Sequence, residues 1–249
     1  MALTIRGATV QDVPAVARLF RRSFDPELHP YLTHAQDGAS RFMSLPFQHP
    51  QLFPDHDMIV AVQGSDIVGV GDFRRSSTGG GFLSYLFVAE EARSLGLATT
   101  LIKTFLEQAS VTALDLDVFT SNGPANALYN KFGFSSGPRT AWVARDLPPA
   151  TAAEGIVDFA VQDAAHEAYG FSRFTTDGSH FPPADFGHIG ESILKCFSAQ
   201  QFVDDDVLGR MSASLPGTTE AFAIVDDPWD WDGDHRVLLR SERRRLTVP

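Results

Sequence analysis

The chain has 249 residues, 43% of them hydrophobic and 20% charged, and a net charge of −11. That composition is ordinary for a globular protein, and the length accommodates one large domain or two smaller ones. It excludes several classes: no apolar run approaches the roughly 18 residues that span a bilayer, an acidic chain is a poor nonspecific ligand for nucleic acid, and a single cysteine, Cys196, permits no intrachain disulfide.

The charge is uneven. Residues 1–150 carry 12 Lys and Arg against 14 Asp and Glu, whereas residues 151–249 carry 8 against 17. Such acidity suits a cationic partner or serves as a solubility device. The N-terminus, Met1 to Arg6, lacks the basic region and apolar core of a signal peptide. With one cysteine, this leads to the expectation of a reducing, cytoplasmic setting.

In chain order, Leu3 to Arg6 reads as a short strand. Thr9 and Asp12 read as a capping box for a helix that keeps Val13, Val16, Ala17, Phe20 and Phe24 on one face and stops at Pro26. From Asp25 to His56 five prolines break the pattern, so the segment is either a lid or binding wall, or a pair of helices with poor periodicity; a helix fits near residues 38–45. The histidines there, His29, His34, His49 and His56, show no metal-ligand spacing and read as surface residues.

Met58–Val62, Ile67–Phe73 and Phe82–Val88 form a three-stranded antiparallel meander. A turn, Arg93–Ala98, leads into a helix carrying Ala98, Leu101, Ile102, Phe105 and Leu106. A strand, a tight turn with Gly96 and a helix N-terminus present unpaired N–H groups and a positive dipole end, which suit an anion such as a phosphate; packing alone explains the small residues equally well. Leu114, Leu116 and Val118 alternate with Asp115 and Asp117 as a half-buried strand. A short helix from Asn122 to Phe132 then ends at Gly133, and Thr140–Arg145 reads as a closing strand.

After Pro148 and Pro149 the pattern changes, so domains are expected at residues 1–148 and 149–249. In the second, residues 152–169 read as partly helical, and Ile189, Ile193, Leu194 and Phe197 as one helix face. Asp204–Asp206 caps a helix through Met211, and Phe222–Val225 pairs with Val237–Leu239 as a hairpin. Arg243–Arg245 reads as a solvated terminus. His180, Asp185, His188 and Glu191 lack the tight spacing of zinc motifs, and a calcium loop over Asp226–Asp234 with Gly233 sixth would put Pro228 first and Leu239 twelfth, neither a ligand, so no metal is expected.

Two motifs together resemble the GCN5-related N-acetyltransferases (GNAT). The family signature, Arg or Gln, two residues, Gly, one residue, then Gly or Ala, is matched by Arg93-Ser94-Leu95-Gly96-Leu97-Ala98 between a strand and a helix. A second series, Leu116-Asp117-Val118, Asn122, Ala125, Leu128-Tyr129, Lys131 and Gly133-Phe134, follows at the family's distance. The resemblance covers roughly residues 3–146. It departs at Glu90 (often Pro), Ser94 (usually Gly) and Leu95 (frequently basic), which removes one basic contact to a pyrophosphate.

The resemblance implies a mixed α/β, or α+β, fold: a mostly antiparallel central sheet flanked by helices, GNAT-like, with a C-terminal α+β extension on the acceptor side or at a dimer contact. It implies an N-acetyltransferase that moves the acetyl group of acetyl-CoA to a primary amine of a small molecule or peptide, in one ternary complex without a metal. The cofactor-binding residues would be Phe87, Val88, Arg93, Ser94, Leu95, Gly96, Leu97, Ala98, Thr99 and Asn122. A backbone N–H near Phe87 or Val88 would polarise the acyl carbonyl where the strand splays from Leu114–Val118. Tyr129 would protonate the leaving thiolate, and Asn122 would contact the pantetheine arm, cap its helix, or do both.

No base is evident. An alkylammonium with a pKa near 10.4 is under about 0.1% neutral at pH 7, so its proton must be taken. The strand Phe82–Val88 has no carboxylate, and Asp72, Glu90, Glu91 and Asp117 read as surface acids. A protein with this fold that senses acyl-CoA without turning it over is the alternative.

Overall fold

The computed structural model describes residues 3–151, 159–176 and 184–248. In chain order its elements are β1 (Leu3–Gly7), α1 (Val13–Ser23), α2 (Ala39–Gln48), β2 (His56–Gln63), β3 (Asp66–Arg75), β4 (Gly80–Val88), α3 (Leu97–Ala109), β5 (Ala113–Phe119), α4 (Gly123–Phe132) and β6 (Ser135–Asp146). There follow α5 (Phe159–Tyr169), β7 (Phe171–Thr175), β8 (Asp185–Ile189), β9 (Ile193–Cys196), α6 (Ala199–Val203), α7 (Asp205–Ser214), β10 (Glu220–Asp226) and β11 (Arg236–Thr247). Short 3-10 turns, Pro26–Tyr31 and Thr33–Ala35, occupy the proline-rich stretch.

The chain divides into two compact units along lines different from a cut at residue 148. One unit is Met1–Phe24, Met43–Pro138 and Ser241–Pro249; the other is Asp25–Phe42 and Arg139–Arg240.

In the first unit β1, β2, β3 and β4 pair antiparallel in sequence, β5 joins β4 in parallel, and the end of β11 joins β5 antiparallel. A right-handed crossover through α3 is the ordinary way to place a parallel strand beside β4. Val13, Val16 and Leu19 of α1 and Met43 of α2 pack with Val60, Val68 and Val70 on one face. Leu101, Ile102 and Phe105 of α3 pack with Phe73, Leu83, Leu114 and Leu116 on the other. The entry to α1 is fixed by Asp12, whose carboxylate accepts from the Thr9 N–H at 2.8 Å and from Arg6 at 2.7 Å. The Arg6 guanidinium holds the Asp12 carboxyl down at about 2.

Arg243–Arg245 is not a solvated terminus. It lies in β11 against β5, where Arg243 stands opposite Asp117 and Arg245 opposite Asp115. Arg243 donates to Asp117 at 3.0 Å, and Arg245 to Asp115 at 3.1 Å. The acids that alternate with the apolar residues of β5 have their counterions on the next strand, which local periodicity does not reveal.

In the second unit β7, β8 and β9 form an antiparallel meander, β10 lies parallel to β9, and residues 140–146 of β6 lie antiparallel to β10. Two expectations are corrected here. Ile189, Ile193 and Leu194 do not share a helix: they lie on β8 and β9, joined at Gly190 with φ +55. The expected hairpin of Phe222–Val225 with Val237–Leu239 does not form, because the edges of β10 are taken by β6 and β9. Asp204 caps α7 as expected, accepting from the Val207 N–H at 3.0 Å. Of the residues read as partly helical, 159–169 form α5, and 152–158 lie outside the described residues.

The topology of the first unit, a meander, a helical crossover, a parallel strand and an antiparallel closing strand, therefore occurs again in the second. One core face of the second unit joins Phe174, Phe186, Phe202, Leu208 and Met211, and the opposite one joins Tyr31, Ile189, Ile193 and Phe222.

Candidate active site

The site begins with a defect in the β3–β4 ladder. Asp72 stands opposite Tyr85 but Phe73 stands opposite Leu83, so Ser84 is an extra, bulged residue. Such a bulge bends the strand that carries it. On the other edge of β4 the parallel ladder with β5 runs from Gly80↔Ala113 to Leu83↔Leu116 and goes no further. Beyond Leu83 the two strands are open to each other, as the splay expected at Phe87 and Val88 requires.

Strand alternation decides which N–H groups face the opening. The Ala89 N–H bonds to the Val68 carbonyl at 2.9 Å, towards β3. Phe87 points its N–H the same way, leaving those of Leu86 and Val88 on the open side. Of the two expected carbonyl-polarising groups, Val88 is thus well aimed and Phe87 is not. The Phe87 ring instead packs against Phe20 at 5.2 Å and Phe24 at 5.4 Å, and Phe24 reaches Phe119 at 6.0 Å. Phe20 of α1 and Phe24 just after it thus pack on the α1 face of β4.

The Arg93–Ala98 turn follows β4 after a short 3-10 turn, Glu90–Ala92. Ser94 and Gly96 both adopt left-handed backbone, with φ of 66 and 75. Ser94 thus takes the conformation for which the family's usual glycine is suited, at a cost of about 1 kcal/mol or more. Gly96 is the N-cap of α3, a 13-residue helix, and no side chain caps the helix. A Cβ built at Gly96 would meet no atom within 4 Å. The free N–H groups of Leu97, Ala98 and Thr99 therefore open onto space, with the dipole of a three-turn helix behind them. Leu97, not Ala98, is the buried residue of that first turn, continuing into Leu101, Ile102 and Phe105. Leu95 is 60% exposed.

Asn122 is the N-cap of α4: its side chain accepts from the Ala125 N–H at 3.2 Å. Tyr129 lies in the α3–α4 core with its ring edge-on to Phe134 at 5.4 Å. Burial pushes its phenol up to about 12, so it keeps its proton at neutral pH.

A pair of residues that local pattern assigned to the surface is also part of this region. Asp72 is buried, and His56 Nε2 lies 3.3 Å from its Oδ2. The Asp72 Oδ1 is buried without a hydrogen-bond partner. The signal was in the strand: Asp72 shares the inward parity of Val68 and Val70, so a carboxylate there falls on the buried face. Glu90 and Glu91 are exposed, as expected, and Asp117 is paired with Arg243. Among the described residues no three His, Cys, Asp or Glu side chains gather as a metal site; His180 lies outside them.

Residues 14–134 match the model of the acetyltransferase (GNAT) family, and this part of the chain is a domain of that family. A tandem GNAT protein from the clavulanic acid biosynthesis pathway is similar along nearly the whole length. It has 12% identity and a TM-score of 0.67 over 99% of this chain and 98% of that one. A GCN5-related N-acetyltransferase from Sphaerobacter thermophilus shares 14% identity at a TM-score of 0.62, over 98% of this chain and 95% of that one. At such identities the likeness is one of fold, and it extends through the second unit. No curated protein matches the chain.

Proposed function

We propose that the protein is an N-acetyltransferase that transfers the acetyl group of acetyl-CoA directly to a primary amine. The observation that carries this reading is the open, uncapped start of α3 at Gly96 beside the unpaired edge of β4. The N–H groups of Leu97, Ala98 and Thr99 would hold the pyrophosphate, with Arg93, Ser94 and Leu95 framing it. The Val88 N–H would polarise the thioester carbonyl, where preorganised donors act on developing negative charge. Asn122 caps its own helix and leaves its amide N–H₂ for the pantetheine arm. Tyr129, with its proton held by burial, would donate a hydrogen bond to the departing thiolate. No covalent intermediate is needed, and Cys196 is buried with its thiol pushed up to about 12, which makes it a poor nucleophile.

The acidic second half suits a cationic acceptor, small molecule or peptide, and its unit would stand on the acceptor side or at a homodimer contact. The cytoplasm is the natural setting for this donor; among the described residues no helix is long and apolar enough to cross a membrane. Thiol release from acetyl-CoA with a panel of primary amines tests the reading, with turnover of at least one amine expected. Binding of coenzyme A without turnover of any amine would favour an acyl-CoA sensor, a reading to which the exposed Leu95, in place of a basic residue, gives some support.

A further inference from the structure

Direct transfer leaves one proton unaccounted for, that of the attacking amine. Among the described residues two carboxylates are buried on strands next to the opened pair: Glu242, opposite Val118 of β5 and paired with Arg244 at 2.6 Å, and Asp72, on the strand beside β4. Asp72 stands opposite Tyr85 at the Ser84 bulge, where β4 parts from β5. Val68, Val70 and Asp72 face α1, and Tyr85 does too, since its ring meets Phe20 at 4.9 Å. Tyr129 belongs to the opposite face, with α3. An acid on one face and a base on the other fits a displacement in which the amine enters from one side and the thiolate departs on the other.

The polar groups of the α1 face form a line across three strands: Tyr85 on β4, Asp72 on β3 and His56 on β2. His56 Nε2 occupies Asp72 Oδ2 at 3.3 Å, while Oδ1 is buried and unpartnered. A buried carboxylate oxygen with nothing bonded to it is costly, and native folds keep one where a donor belongs. Burial and the charge of Asp72 together push the Tyr85 phenol up, against the opposing effect of Arg74, so Tyr85 carries a proton to pass on.

Resting on the acetyltransferase reading, we propose that Asp72 is the proton acceptor for the amine, held in place by His56, with the Tyr85 hydroxyl handing the proton across. The bound ammonium first gives one proton to the Tyr85 oxygen as the Tyr85 proton moves to Asp72 Oδ1, which frees the lone pair. The neutral amine then attacks, and as the C–N bond forms and the C–S bond breaks the nitrogen's second proton passes to the departing sulfur beside Tyr129.

The test is the pH profile of kcat/KM for the full-length chain, using whichever alkylamine in the panel is turned over, for wild type, Asp72→Asn and Tyr85→Phe. General-base help is worth roughly 100-fold or more. At pH 7 both variants should lose about that factor, and the loss should shrink about tenfold per pH unit as the amine deprotonates unaided. Coenzyme A affinity should stay within about twofold of wild type, which also establishes that the variants fold. A loss equal at every pH would mark a structural role and overturn the proposal, as would unchanged activity in Asp72→Asn. An inactive wild type would instead overturn the acetyltransferase reading, and the base with it.

Discussion

The passage from strand through turn and helix to parallel strand occurs once in each unit, and the two turns differ. In the first unit, Gly96 begins a 13-residue helix over which no side chain closes. In the second, β9 leads to Ser198 and the five-residue α6, which is shut by a capping box. The Ser198 hydroxyl accepts from the Gln201 N–H at 3.2 Å, and Gln201 Oε1 accepts from the N–H groups of Phe197 and Ser198 at 2.7 and 3.1 Å. The third N–H of α6, equivalent to that of Thr99 in α3, is thus taken by a capping side chain, where α3 has none. The same topology thus carries a helix start without a side-chain cap in one unit and a capped one in the other, so the proposed donor site depends on the turn and not on the topology.

The comparison breaks most completely at Gly96. Gly96→Glu adds a side chain in left-handed backbone and a negative charge at the positive end of α3. Coenzyme A affinity measured by calorimetry should fall by more than about 100-fold, the equivalent of roughly 3 kcal/mol. Persistent binding would show that the open turn is not the anchor. Next in size is Tyr129→Phe, which should lower kcat by about 10- to 100-fold with little change in coenzyme A affinity. Equal turnover would remove Tyr129 from the chemistry.

A smaller effect sharpens the contrast from the side of the second unit. There His166 of α5 stacks on His188 of β8 at 4.1 Å between ring centroids, beside the buried Gln162 and Ser172. Burial, and then His166, push His188 down to about 4, and burial lowers His166 as well. Asp163 and Glu191 are the acids near the pair. A histidine depressed in the folded state is neutral there, while the unfolded chain binds its proton below about 6.5. The stability it confers is therefore complete above that pH and is lost as pH falls towards 4. Hydrogen exchange of the α5 amides should accelerate over that window, and His188→Phe should flatten the dependence; an exchange rate indifferent to pH after correction for intrinsic chemistry would contradict it. Smallest is Ser94→Gly, which relieves a left-handed serine and should add about 1 kcal/mol to stability in denaturant melts without weakening coenzyme A binding.

What was legible in the sequence follows the reach of local physics. The meander, the Gly96 turn and the Asn122 cap are written in short-range patterns, where periodicity, a glycine and a capping side chain each act within a few residues. The parity of Asp72 with Val68 and Val70 is a local signal for its burial, but its partner is not local: His56 lies 16 residues away on the neighbouring strand. The arginines of β11 find Asp115 and Asp117 more than a hundred residues away, so from sequence they looked like a terminal charge run. Ile189, Ile193 and Leu194 satisfy a helical spacing as well as a strand hairpin, and only the left-handed Gly190 between them decides for the turn.

The most direct measurement is a calorimetric titration of the full-length chain with acetyl-CoA. One open turn and one closed turn predict a stoichiometry of one per chain, abolished by Gly96→Glu. Two molecules bound per chain, or one that survives Gly96→Glu, would contradict the assignment of the donor site to the first unit.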